Sequence, residues 1–194
     1  GKSWKTDQDR LGGAKKIIDP RFIVTHGGDP DYSMVTRSSD GQLMFLANLI
    51  SKMKQYTALG SRIASVHNGS SLFTGDAGQG ESNFRRWIIE NDWLEAIVAL
   101  PLKMFYNTGI ATYVWVISNR KEERRKGKVQ LIEATSGFTP LRKNLGEKGV
   151  EISDADADRV LATYEAFDQA HHPDHSNVFD GIDFGYSKIT VERP

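Results

Sequence analysis

The sequence predicts a three-layer α/β fold. Segments with apolar residues at helical spacing alternate with short apolar runs rich in β-branched and aromatic residues, the pattern of helices packed on a sheet. The last apolar runs follow one another without a helix between them, which predicts an antiparallel pair at one edge of that sheet. A chain of 194 residues, 39% apolar and 26% charged, is long enough and mixed enough for one globular core.

Residues 1–40 are punctuated by Gly12-Gly13, Asp19-Pro20, Gly27-Gly28 and Asp29-Pro30, and predict an irregular segment. A stretch of that length without an element reads as a functional loop, as a disordered segment, or as a chain that starts in the middle of a domain. Leu43, Leu46, Ala47, Ile50 and Met53 recur at helical spacing and predict a helix over 40–59, capped by Ser39 or Asp40 and ended by Gly60. A short strand over 62–66 and a Gly- and Ser-rich loop over 68–80 follow. A second helix is expected over 82–91, with Phe84, Trp87 and Ile88 on one face. Residues 94–100 read as a buried strand ended by Pro101, and 111–117 as another. A charged turn over 120–128 leads to a strand over 129–133. Beyond 136 the composition turns polar. An amphipathic helix over 153–167 with Ser153 as its N-cap, a loop over 171–174 and a last strand over 186–191 complete the chain. The division is therefore 1–135, with 136–194 as a C-terminal extension packing on it.

Composition excludes several functions. The chain has no cysteine, so disulfides, thiolate metal sites and cysteine nucleophiles are ruled out, and a reducing compartment is compatible. No apolar run reaches the roughly 18 residues of a membrane span, and the first residues lack a signal-peptide core. A cytoplasmic protein with no membrane partner is expected. Twenty-five basic and 25 acidic residues give zero net charge. A chain that binds DNA by itself is ordinarily basic. Either DNA is not the ligand or the basic surface lies on another part of an assembly.

Four motifs invite chemistry. Gly75, Gly78 and Gly80 lie between a strand and a helix, where backbone N–H groups hold phosphates in other proteins. The spacing is not that of a dinucleotide fingerprint, and no Gly-Lys-Ser/Thr follows, so a flexible loop is the better reading. Asp183-Phe184-Gly185 matches a kinase metal-binding tripeptide but has none of the companion motifs. His171, His172 and His175 cluster around Pro173, which breaks the helix a two-histidine metal motif needs, so a solvated loop is expected. The segment 120–128 holds six basic residues and two Glu, and reads as a solvated hairpin turn or, alternatively, as a phosphate contact.

From Gly60 onward the sequence resembles the M subunit of type I restriction-modification systems, a family of N6-adenine DNA methyltransferases. The resemblance rests on GSRIASVHNGSSLFTG (60–75), NDWLEAIVALP (91–101), FYNTGI (105–110), RRKGKVQLIEA (124–134) and FDGIDFGYSKITVERP (179–194). It implies a Rossmann-like, S-adenosylmethionine-dependent methyltransferase fold of which 1–135 is the second half of the catalytic domain. It implies methyl transfer to adenine N6 in DNA by direct displacement after base flipping, with a specificity (S) subunit and a restriction (R) subunit as partners. It also implies that the family's Asn-Pro-Pro-aromatic catalytic loop lies just upstream of Gly1 and the donor-binding motif further upstream. The chain would then hold no catalytic or cofactor-binding residue and be inactive alone. Asp29-Pro30-Asp31-Tyr32 is a near miss to that loop. Asp31 replaces the second Pro and no strand is expected ahead of it, so it is rejected as the catalytic loop. Carried over by resemblance, Phe73 and Asn68 are the substrate-base contacts, with Phe73 either stacking on the flipped adenine or plugging the end of the sheet. His67 stands where the family commonly has Pro. The alternatives are a non-catalytic assembly module that binds S or R subunits, or a degenerate methyltransferase.

Overall fold

The computed structural model describes residues 3–167 and 175–193. The loop expected over 171–174, with His171 and His172, lies outside the described residues. In chain order the elements are α1 (Lys5–Arg10), β1 (Ile23–His26), β2 (Asp29–Ser33), α2 (Gln42–Ile50), β3 (Arg62–Asn68), the single turn α3 (Ser70–Phe73), α4 (Gly80–Glu90), β4 (Leu94–Ala99), β5 (Thr112–Ser118), β6 (Lys128–Glu133), β7 (Thr139–Leu145), β8 (Lys148–Glu151), α5 (Asp154–Ala166) and β9 (Ser176–Asp180). They form two compact units. One takes the chain up to Lys52, Ser71–Asn91 and the chain from Gly181 onward; the other takes Met53–Ser70 and Asp92–Asp180.

The first unit is built on α2 and α4. Leu43, Leu46, Ala47 and Ile50 form the buried stripe of α2, and Phe84 and Ile88 that of α4, while Trp87 is only half-buried. α4 packs on α2 and β2. The segment ahead of α2 is not irregular, contrary to expectation. β1 and β2 pair as an antiparallel hairpin, with Gly27 and Gly28 at φ 58° and 85° in its two-residue turn. A Gly-Gly pair between two extended runs supplies the positive φ values such a turn needs. α2 ends at Ile50, nine residues short of the expected Leu59. Lys54 and Thr57 stand where its apolar stripe requires further members, so only Met53 continues it. Gly60 serves instead in the turn before β3, donating its N–H to the Thr57 carbonyl (3.1 Å). Asp40 does accept the Gln42 backbone N–H (3.1 Å) at the start of α2, one residue ahead of the N-cap Gly41.

The second unit is a five-stranded sheet in the order β3-β5-β4-β6-β9, in which β4 and β6 are parallel and every other neighbouring pair is antiparallel. Its core takes Leu94, Ala96, Val98, Trp115, Ile117, Val129 and Ile132. α5 lies on it through Val160 and Tyr164, against Val98, Ile132 and Ala134. Ser153 caps α5 as the sequence predicts, accepting the Asp156 N–H. Three expectations change. β5 lies inside the sheet, between β3 and β4, so β5 and β6 do not pair and the charged segment 120–128 is a crossover rather than a hairpin. The polar stretch after 136 contains a hairpin, β7–β8, and then β9. The strand expected over 186–191 is absent, with Ile189 and Val191 exposed and unpaired.

The pairing sets direction. β3, β4 and β6 run the same way, so their C-terminal ends share one end of the sheet. Asn68, the β4–β5 loop over 100–111 and the approach to β7 all lie there. The crossover passes the opposite end, at the start of β4. No helix among the described residues is long and apolar enough to cross a membrane.

Candidate functional site

Asn68 is the last residue of β3, opposite Thr112 of β5. Its Oδ1 accepts the Ser70 backbone N–H (3.0 Å) and the Ser70 hydroxyl, an Asx turn that stops the strand and starts α3. His67 is buried, with its ring edge-on to Trp115 at 5.6 Å between centroids. The strand end is thus fixed by side chains on both sides of its last peptide.

Phe73 ends α3 in the first unit and is 77% exposed. The turn beneath it is held by Arg85, whose guanidinium donates to the Ser71 carbonyl (3.0 Å). Burial pushes the Arg85 pKa below the usual guanidinium range. The Gly-rich loop that follows is tied to the unit rather than flexible. Asp76 pairs with Lys188 (2.8 Å), and Tyr186 meets Ser82 oxygen to oxygen at 3.3 Å. Buried Glu81 accepts the Arg37 N–H (3.1 Å). A side chain at Gly80 would overlap the Val35 carbonyl. Backbone and carboxylates occupy this helix start, so it offers no cradle for a phosphate.

The remaining motifs resolve as structure. Asp29-Pro30-Asp31-Tyr32 is strand β2 itself, following β1, so a strand does precede it, contrary to expectation; its hairpin setting still separates it from a catalytic loop. Tyr32 is buried and donates its hydroxyl to the Asn83 carbonyl (3.1 Å). Asp183 and Phe184 lie in the 3-10 turn Gly181–Phe184. No group of three His, Asp or Glu among the described residues is placed to hold a metal.

Five of the crossover's six cations lie in ion pairs. Lys121 pairs with Asp92 (2.5 Å), Arg124 with Glu122 (2.8 Å), Lys126 with Glu123 (2.6 Å) and Lys128 with Asp180 (2.7 Å). Arg125 is the anchor. Its side chain is 2% exposed and lies 3.7 Å from Glu95, which is fully buried. It donates to Gln130 Oε1 (3.1 Å) and to the Tyr164 carbonyl, and stacks between Tyr164 and Phe167 at 4.2 and 4.3 Å. Arg62 approaches the same Glu95 at 3.2 Å. Burial, with the Glu95 charge adding to it, pushes the Tyr164 phenol up to about 12. Burial also lowers Lys121, against the opposing pull of Asp92. The Arg125 network fastens the crossover and α5 to the start of β4. The sequence did not single out Glu95, since an acid inside an apolar run is visible only once its partners are.

The profile of the N-6 DNA methylase family matches residues 14–189. The chain belongs to the N-6 DNA methylase family. A relative from Methanocaldococcus jannaschii, the type I restriction enzyme MjaIX methylase subunit, is 29% identical over 176 residues, 91% of this chain and 28% of that protein. The MjaVII methylase subunit of the same organism is 33% identical over 106 residues, 54% of this chain and 17% of that protein. The chain thus spans less than a third of the curated relatives it matches. Two solved structures share its fold. A type I restriction-modification methyltransferase subunit from Streptococcus thermophilus superposes with a TM-score of 0.62 at 22% identity, over 76% of this chain and 28% of that one. A modification subunit of a putative type I restriction enzyme from Vibrio vulnificus gives 0.60 at 16% identity, over 84% and 31%. The α/β fold expected from the sequence is therefore the fold of this methylase family.

Proposed function

We propose that this N-6 DNA methylase chain is the target-base part of a type I M subunit, a DNA adenine-N6 methyltransferase acting with S and R subunits in the cytoplasm. The family match over 14–189 carries the reading. In it, residues 1–135 belong to the catalytic domain and 136–194 to its extension. Phe73 stacks on the flipped adenine, an interaction of about 1–3 kcal/mol per base. Its exposure supports this, since a ring that accepts a base needs a free face. Asn68 holds the turn that leads from β3 into α3.

S-adenosylmethionine is the methyl donor this family membership implies. The Gly-rich loop, the one segment whose sequence suggests a phosphate or donor cradle, does not fit it. This loop, between β3 and α4, has its carboxylates committed to Lys188 and Arg37, and its last glycine packed on Val35. Donor binding is assigned to the remainder of a longer protein. Calorimetry on the 194-residue chain should show no S-adenosylmethionine binding, and a micromolar isotherm would overturn that assignment.

Phe73→Ala in the intact protein tests the base contact. Methyl transfer to duplex DNA should fall well before donor affinity changes, and Phe73→Tyr should restore most of the rate. Equal rates for Phe73→Ala and the parent would retire the stacking role.

A further inference from the structure

We propose that the β4–β5 loop and the β7–β8 hairpin form a docking face for the phosphate backbone of DNA, with Lys103, Lys148, Arg142 and Lys143 as its contacts. The proposal rests on the methyltransferase reading for the identity of the nucleic acid, and on four observations for the face itself.

The first is position. The loop leaves the C-terminal end of β4, and the hairpin follows the C-terminal end of β6, the end of the sheet where β3 finishes at Asn68. Open α/β sheets bind their ligands at the carboxyl ends of their strands.

The second is construction. The hairpin turn is fastened to the loop by backbone bonds from Glu147 N–H to the Tyr106 carbonyl (2.9 Å) and from Gly149 N–H to the Lys103 carbonyl (3.0 Å). Lys103 is held at φ 59°, a conformation that a side chain adopts only when its surroundings enforce it. Lys148 Nζ sits 5.5 Å from the centre of the Tyr106 ring. Loop and hairpin are one surface.

The third is free charge. Among the described residues no ion pair joins Lys103, Arg142, Lys143 or Lys148 to a carboxylate. The two acids of the hairpin are Glu147, whose carboxylate lies beside Gly109, and Glu151, which is exposed at the end of β8. Four cations thus stand against two carboxylates in a chain of zero net charge. Anion binding needs cations that are not already neutralised.

The fourth is shape and chemistry. A two-stranded ribbon is of a size that the DNA major groove admits. Arg142 and Lys143 are successive and exposed in the stretch of β7 between the paired residues Pro140 and Leu145, where the register shifts and leaves them off the ladder. Exposed Tyr106, interleaved with Lys103 and Lys148, adds the aromatic surface common at nucleic-acid contacts.

The test is duplex binding by the intact protein, followed by fluorescence anisotropy from low to moderate salt. Replacing Lys103, Arg142, Lys143 and Lys148 with Gln together should weaken binding and flatten the dependence of log K on log salt by about 3–4, at about 0.9 for each phosphate no longer neutralised. Arg142→Gln with Lys143→Gln alone, at two exposed positions that cannot disturb the fold, should give about half that change. Arg124→Gln with Lys126→Gln in the crossover should give none. Unchanged affinity and slope in the four-fold variant overturns the proposal, and so does loss of a protein partner with DNA binding intact. DNA binding that depends on the hairpin in a protein without methyl transfer supports the face and sinks only the enzymatic reading. Normal methylation by the four-fold variant sinks only the face.

Discussion

Two basic regions of the second unit carry similar cations to opposite ends. The crossover over 120–128 is the denser of the two, and its sequence is the one that attracts a phosphate. Yet it passes the start of β4, where Asp92 and Glu95 wait, and five of its six cations are ion-paired. The loop–hairpin face holds fewer cations, more widely spaced, and none is paired to a carboxylate among the described residues. Charge density along the chain therefore does not report the charge available to a ligand. What decides it is the topology, which carries one basic segment past acids and lifts the other away from them.

The sharpest way to break this comparison is at Glu95. If the crossover's charges are structural, Glu95→Ala leaves Arg125 buried without its carboxylate. Removing one partner of a buried pair typically costs about 3–5 kcal/mol. Urea unfolding of the chain should show that loss, and Arg125→Met in the parent a comparable one. Glu95→Leu combined with Arg125→Met removes both charges and should be milder than either single change. A loss below about 1 kcal/mol for Glu95→Ala would mean that the network is peripheral to stability.

The same network shows where sequence reading stops. The buried stripes of α2 and α4, the strands β4 and β5 and the Ser153 cap were legible because each is a local pattern of spacing or of a single hydrogen bond. α2 was overextended because Met53 continues the apolar period by one residue and the period alone gives no stop. β1–β2 was missed although Gly27-Gly28 is a turn signal, because Asp29-Pro30-Asp31 has little strand character. β9, with Val178 and Phe179 as its only apolar pair, is a strand because β6 offers it an edge. The order β5-β4-β6 is not local at all, and every pairing of the crossover depends on it. The site divides in the same way. Phe73 and Asn68 came from resemblance, and the structure adds that one is exposed and the other holds a turn. The loop–hairpin cations gave no signal, since sequence does not show which lysines lack acids.

A smaller effect should appear at high pH. The Tyr164 phenol has an ordinary value of 10.0 in the unfolded chain and about 12 in the folded one. Between those values the folded state keeps a proton that the unfolded state has lost. Stability from this group is thus full below pH 10 and declines as pH rises toward 12. Tyr164→Phe should make the melting temperature of the chain fall less steeply across that window. An unchanged alkaline slope would mean that burial does not hold the phenol protonated in the folded chain.

The least effect on folding should come from the other member of the comparison. Lys103, Arg142 and Lys143 are exposed and Lys148 half-buried, so neutralising them should change unfolding free energy by no more than about 0.5 kcal/mol per site. Lys126→Ala, at an exposed i,i+3 pair with Glu123, should behave alike in stability. The two regions then separate on a second axis, because only the hairpin substitutions should also alter the salt dependence of DNA binding. Thermal melts beside anisotropy titrations on the same variants give both coordinates. Hairpin variants that melted several degrees early would make those cations part of the fold, and the distinction between a segment that spends its charge inward and one that keeps it for a ligand would be lost.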